Sequence, residues 1–113
     1  MSSIRPATSS ETVGEKPRRF VFVLLDNFTL LCFAAAVESL RLANRMAGKT
    51  LYQWEIVSEG DDIVYCSAGS GFKPDGDLGD LQRDDTVMIC GGIDVQAATT
   101  KRLLSWLRRE ARK

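Results

Sequence analysis

The residues whose type and spacing say most about chemistry are two adjacent glycines, Gly91-Gly92, directly after the apolar run TVMIC (Thr86 to Cys90). Lacking Cβ atoms, they let the chain turn sharply and present N–H groups to a ligand. With a helix beginning nearby, those donors would form a partly positive pocket for a carboxylate or an oxyanion. The plainer alternative is a tight strand-to-helix turn that binds nothing. Cys32, early in a helical pattern, reads either as a pocket thiol or as a small buried hydrophobe. Cys90 closes the apolar run and reads as core. Asp26 and Glu38 are the candidate acids. Asp26 also suits a helix cap, and Glu38 stands beside Arg41 and Arg45, where a surface ion pair is expected. No pair of carboxylates has a spacing that singles it out.

Other chemistries are excluded by what is missing. The 113 residues contain no histidine, and the three cysteines (Cys32, Cys66, Cys90) have no CxxC spacing. A zinc site and Ser-His or Cys-His nucleophilic machinery therefore cannot be assembled from these residues. No metal or cofactor is expected, and the cysteines read as reduced thiols of a cytoplasmic protein. The start of the chain does not resemble a signal peptide, and no apolar stretch approaches membrane-spanning length. Net charge is zero but uneven: residues 101 to 113 carry six basic groups against Glu110. That end reads either as a nucleic-acid patch or, as favoured here, as a solvated helix face. Trp106 falls on an apolar helix stripe rather than among the basic residues as a base-stacking platform.

These residues need elements to position them. Residues 1–18, rich in Ser, Thr, Pro and charge, read as a disordered lead. FVFVLL (Phe20 to Leu25) is the pattern of a strand buried on both faces of a parallel sheet. Asp26 to Thr29 breaks it with capping residues. A helix follows, with Leu30, Phe33, Val37, Leu40 and Ala43 as its apolar stripe and Gly48 as its stop. LYQWEIVS (Leu51 to Ser58) is the next strand, and after the turn at Glu59 to Asp62, IVYCS alternates like a strand with one wetter face. Residues 69–85, rich in glycine and aspartate, read as loop. TVMIC reads as a second fully buried strand, leading to a final helix with Val95, Leu103, Leu104 and Leu107 inward. The order β-α-β-β-loop-β-α predicts an α/β doubly wound, mostly parallel sheet with flanking helices, with ligands at the carboxyl ends of its strands. The chain stops in or just after a charged helix with no stop signal, as a truncated domain would.

FVFVLLDNFTLLCFAAAVESLRLANRMAG, YQWEIVSEG, CSAGSGFKPDGDLGDL and DDTVMICGGIDVQAATTKRLLSWLRREA together resemble the sensor domain of GlxA-type transcriptional regulators of the AraC family. That domain is flavodoxin-like and belongs to the class I glutamine amidotransferase-like superfamily, with the PfpI-type proteases. The likeness covers residues 19–113. It implies the N-terminal part of a ligand-sensing domain, whose remainder, with a DNA-binding helix-turn-helix domain, would lie beyond Lys113. It also implies a homodimer controlled by a small amino-acid-like or quaternary-ammonium effector. The N–H groups of Gly91, Gly92 and Ile93 would hold a carboxylate, with Asp26, Phe28 and Cys32 lining the pocket. The catalytic relatives carry an acid where this chain has Cys32, so the resemblance implies a sensor and not an enzyme. The alternative is a PfpI-like or glutamine-amidotransferase-like hydrolase subunit.

Overall fold

A computed structural model of the chain describes residues 16–93 and 95–112. Most of the expected disordered lead lies outside the described residues. The first strand, β1 (Arg18–Leu24), alternates its side chains between two layers. Phe22 and Leu24 enter a core with Phe28, Phe33 and Val37, whereas Val21, Val23 and Leu25 enter one with Val57, Leu103 and Trp106. This strand is the buried element that its continuous apolar run predicts.

One layer is made by α1 (Leu30–Ala47), an alanine- and leucine-rich helix that Gly48 ends in the left-handed conformation. Its buried Asn44 fastens the following turn. The Asn44 amide oxygen accepts from the N–H groups of Leu51 (2.8 Å) and Tyr52 (2.9 Å), and its nitrogen donates to the Tyr52 carbonyl. That turn delivers β2 (Tyr52–Ser58) parallel to β1. The chain then forms a short antiparallel hairpin, β3 (Val64–Tyr65) with β4 (Gly71–Phe72), outside the main sheet. Val64 and Cys66 are buried and Tyr65 is exposed, the alternation expected of a strand with one wetter face. Next come β5 (Gly76–Asp77) and β6 (Thr86–Cys90), the latter parallel to β1 on the side away from β2. The sheet order is β5-β2-β1-β6, with every pairing parallel. The chain thus moves outward from β1 in one direction and returns on the other side, which creates a switch point between β1 and β6.

Two expectations are corrected. First, β6 is not fully buried: Met88 is 37% and Ile89 41% exposed. It has β1 on one side and no hydrogen-bonded neighbour on the other among the described residues. Second, the last helix is broken into α2 (Val95–Ala98) and α3 (Lys101–Ala111). Thr100 starts α3 by accepting from the Leu103 N–H with its hydroxyl. Leu103, Trp106 and Glu110 face inward, while Val95 and Leu104 are exposed. The aspartate-rich loop is fastened as well. Asp75 receives the Ile56 N–H, Asp77 pairs with Arg102, and Asp85 pairs with Arg19, which also meets Glu55. From α3, the Trp106 indole N–H donates to the Gly79 carbonyl and Glu110 accepts from the Leu81 N–H. The remaining basic residues of α3 lie on its exposed face.

Candidate functional site

The loop after β1 is held from two sides. The Asn27 N–H donates to the Tyr65 carbonyl and the Ser67 N–H to the Phe28 carbonyl, both at 2.9 Å, so the hairpin supports one flank. On the other flank the Thr29 N–H donates to the Gly91 carbonyl at 3.0 Å. Asn27 adopts φ 63°, a left-handed value that asparagine tolerates better than most residues. Beneath the loop, Phe28 is fully buried against the rings of Phe33 and Phe72.

Both glycines of the Gly91-Gly92 turn are required by close approach. A Cβ on Gly92 would lie 2.2 Å from the Asn27 carbonyl oxygen, and one on Gly91 would lie 2.7 Å from Val95. The tight-turn explanation of the glycines therefore has a direct steric cause. The N–H groups of Gly92 and Ile93 meet no acceptor among the described residues, and the Ile93 side chain is almost fully exposed. The long helix expected behind this turn is only the four residues of α2, so helix polarity adds little there.

Of the six predicted ligand residues, Asp26, Gly91, Gly92 and Ile93 lie along the loop and turn that Thr29 joins, and Cys32 lies in the first turn of α1. Phe28 differs from expectation: with no accessible surface it supports the loop from below and does not face a pocket. Cys32 is exposed, which removes its reading as a buried hydrophobe. Cys90 is half-buried, and burial, with a smaller contribution from the nearby Cys32, pushes its thiol up to about 11. Glu38 forms a surface ion pair with Arg41 at 2.6 Å, which holds its carboxyl below the usual range.

A cavity of about 190 Å³ opens at the carboxyl ends of β1 and β2. Leu24 and Leu25 form its base, Ala97, Ala98 and Thr100 one wall, and Asp26, Glu59 and Asp61 supply three carboxylates. The Thr100 hydroxyl donates to Glu59 at 2.6 Å. With no basic side chain in its lining, the cavity favours a cationic group. Glu59, Asp61 and Thr100 escaped the sequence reading. The signal was present, because Glu59 to Asp62 directly follows β2 and so belongs to the same carboxyl edge as Asp26. Among the described residues no group of three or more His, Cys, Asp or Glu is placed to hold a metal, and no helix is long and apolar enough to cross a membrane.

No protein-family model matches the chain. It is 38% identical over 99 residues to the HTH-type transcriptional regulator GbdR of Pseudomonas aeruginosa, a match covering 88% of this chain and 27% of that protein. It is 35% identical over 100 residues to the HTH-type transcriptional regulator GlxA of Rhizobium meliloti, covering 84% of this chain and 30% of that one. The chain spans under a third of the length of these curated relatives. Its fold is similar to that of an AraC family transcriptional regulator from Pseudomonas putida, with a TM-score of 0.67 at 24% identity, covering 84% of this chain and 61% of that one. A THiJ/PfpI family protein from Pseudomonas syringae gives a TM-score of 0.64 at 17% identity, covering 98% of this chain and 46% of that one. Over the segment it shares with them, the chain is similar to HTH-type transcriptional regulators, and its doubly wound sheet has the fold of these AraC family and THiJ/PfpI family structures.

Proposed function

We propose that this chain forms part of the effector-sensing domain of an AraC-family transcriptional regulator, and that it binds a small amino-acid-like or quaternary-ammonium metabolite. The observation that carries the reading is a polarity across one edge of the sheet. N–H groups of Gly92 and Ile93 that meet no acceptor among the described residues stand at the end of β6, and a carboxylate-lined cavity opens at the ends of β1 and β2. A zwitterion would direct its carboxylate to the turn and its cationic group to Asp26, Glu59 and Asp61. Gly91 and Cys32 would border it, and Phe28 would hold the loop from beneath. Relatives named as regulators support a sensing role over a hydrolytic one, and so does a thiol at Cys32 where the catalytic relatives of the resemblance carry an acid.

In this reading the whole gene product is a cytoplasmic homodimer whose populations shift on effector binding, with DNA engaged by a helix-turn-helix domain outside this segment. Calorimetric titration of that gene product with amino acids and quaternary-ammonium acids tests it. At least one zwitterion is expected to bind, and Asp61→Asn should weaken it by about fivefold, roughly 1 kcal/mol. Absence of binding by every zwitterion, or turnover of glutamine or peptides that is lost in Cys32→Ala, would overturn the proposal.

A further inference from the structure

Two thiols lie near the end of β6, Cys90 on that strand and Cys32 on the helix that covers the same side of the sheet. Cys90 stands in register with Leu24, whose side chain belongs to the α1-side core, and Cys90 packs against that same core. Cys32 lies in the first turn of α1, three residues beyond Thr29. The Thr29 N–H is bonded to the carbonyl of Gly91, the neighbour of Cys90. The helical turn that carries Cys32 is therefore tied to the residue next to Cys90. The two thiols differ in access: Cys32 is exposed and Cys90 is partly covered. The third thiol, Cys66, is buried at the end of the β3 hairpin.

We propose that Cys32 and Cys90 form a peroxide-sensitive pair, in which Cys32 is oxidised first and Cys90 resolves it into an intramolecular disulfide. The Cys32 thiolate attacks one oxygen of hydrogen peroxide and the O–O bond breaks. The departing hydroxide takes up the proton lost by Cys32 and leaves as water. Cys32 becomes a sulfenic acid, oxidised by two electrons, and the peroxide is reduced. Cys90 then gives up its proton and attacks the sulfenic sulfur. The S–O bond breaks, and the hydroxide released leaves with that proton as a second water. Two thiols and one peroxide thus yield one disulfide and two waters.

The asymmetry of the pair suits this order. A peroxide meets the exposed sulfur, while the partner, whose raised titration keeps it a thiol at neutral pH, stays reduced until a sulfenic acid stands beside it. The bond would staple the start of α1 to the Gly91-Gly92 turn. This inference does not depend on what binds at that edge.

The test is treatment of the chain with stoichiometric hydrogen peroxide, then non-reducing digestion and mass spectrometry. The expected product is a Cys32–Cys90 linked peptide from monomeric protein, with Cys66 still open to alkylation after unfolding. Cys32→Ser, at an exposed position, should reduce the linked peptide to background and leave Cys90 a thiol. Cys90→Ala should leave a sulfenic acid at Cys32 that dimedone traps. Oxidation of Cys32 only into disulfides between chains, or only to sulfinic acid, would refute the pair. So would a link that includes Cys66, or no oxidation at all at equimolar peroxide.

Discussion

The strands β1 and β6 have nearly the same sequence character and opposite environments. Both are short, continuous apolar runs, and both end at the candidate site. Yet Phe22 and Val23 are 1% and 0% exposed, while Met88 and Ile89 are 37% and 41% exposed. In β1 the side chains from Val21 to Leu24 are buried, because β2 and β6 flank the strand, α1 covers one face and α3 the other. β6 has one lateral neighbour among the described residues, and the helices lie over β1 and β2. An apolar run states that a strand tolerates cover on both faces; its place in the sheet decides how much cover it receives.

The largest expected effect comes from cutting each strand at matched depth. Phe22→Ala removes a ring stacked edge-to-face on Phe33 at 5.6 Å and should cost about 3–5 kcal/mol in urea unfolding. Met88→Ala, its register partner in β6, should cost under about 1.5 kcal/mol. Equal losses would erase the contrast. A second pair applies the same logic to α3. Leu103→Ala, in the core, should cost about 2–4 kcal/mol, and Leu104→Ala, at an exposed position, less than about 1 kcal/mol. The reverse ranking would mean that α3 is turned on its axis relative to this structure.

A third effect concerns solution behaviour. A strand edge with no hydrogen-bonded neighbour among the described residues, and with Met88 and Ile89 exposed, is a template for pairing with another copy. Light scattering should show a mass that rises with concentration, and Ile89→Lys should lower it with little change in the urea midpoint. A concentration-independent monomer mass for the unaltered chain would show that the edge of β6 is not adhesive.

Much of this was legible in the sequence. FVFVLL identified the central strand, Gly48 the end of α1, and Gly91-Gly92 the tight turn after β6. Local chemistry sufficed there, because glycine conformation and strand burial leave marks on a few adjacent residues. The rest depended on distant partners. Leu103 and Leu104 are adjacent leucines, and only the sheet beneath α3 selects between them. Asp75, Asp77 and Asp85 read only as part of a loop, because their partners Ile56, Arg102 and Arg19 lie far away along the chain. Phe28 was expected to line the pocket with Asp26 and Cys32, but the ring of Phe72, far along the chain, completes the cluster that buries it. At the site, Asp26 and Gly91-Gly92 could be placed from strand ends alone, whereas Glu59, Asp61 and Thr100 required knowing that β2 lies beside β1.

The smallest expected effect lies where β6 is partly covered, at Cys90. The folded chain holds the Cys90 proton more tightly than an unfolded one, where the thiol has its ordinary value of 9.0. The resulting stabilisation is complete below pH 9 and fades as pH rises from there through about 11, since the unfolded chain releases the proton first. Urea midpoints measured from pH 8 to 11 should therefore decline more in the unaltered chain than in Cys90→Ala. The same protection should appear in reactivity. Brief iodoacetamide treatment at pH 8 should label exposed Cys32 first, with Cys66 and Cys90 lagging, and labelling of Cys90 should accelerate as pH approaches 11. Cys90 labelling as fast as Cys32 at pH 8 would mean that its sulfur is open like the rest of β6, and the contrast between the strands would then extend to the last residue of β6.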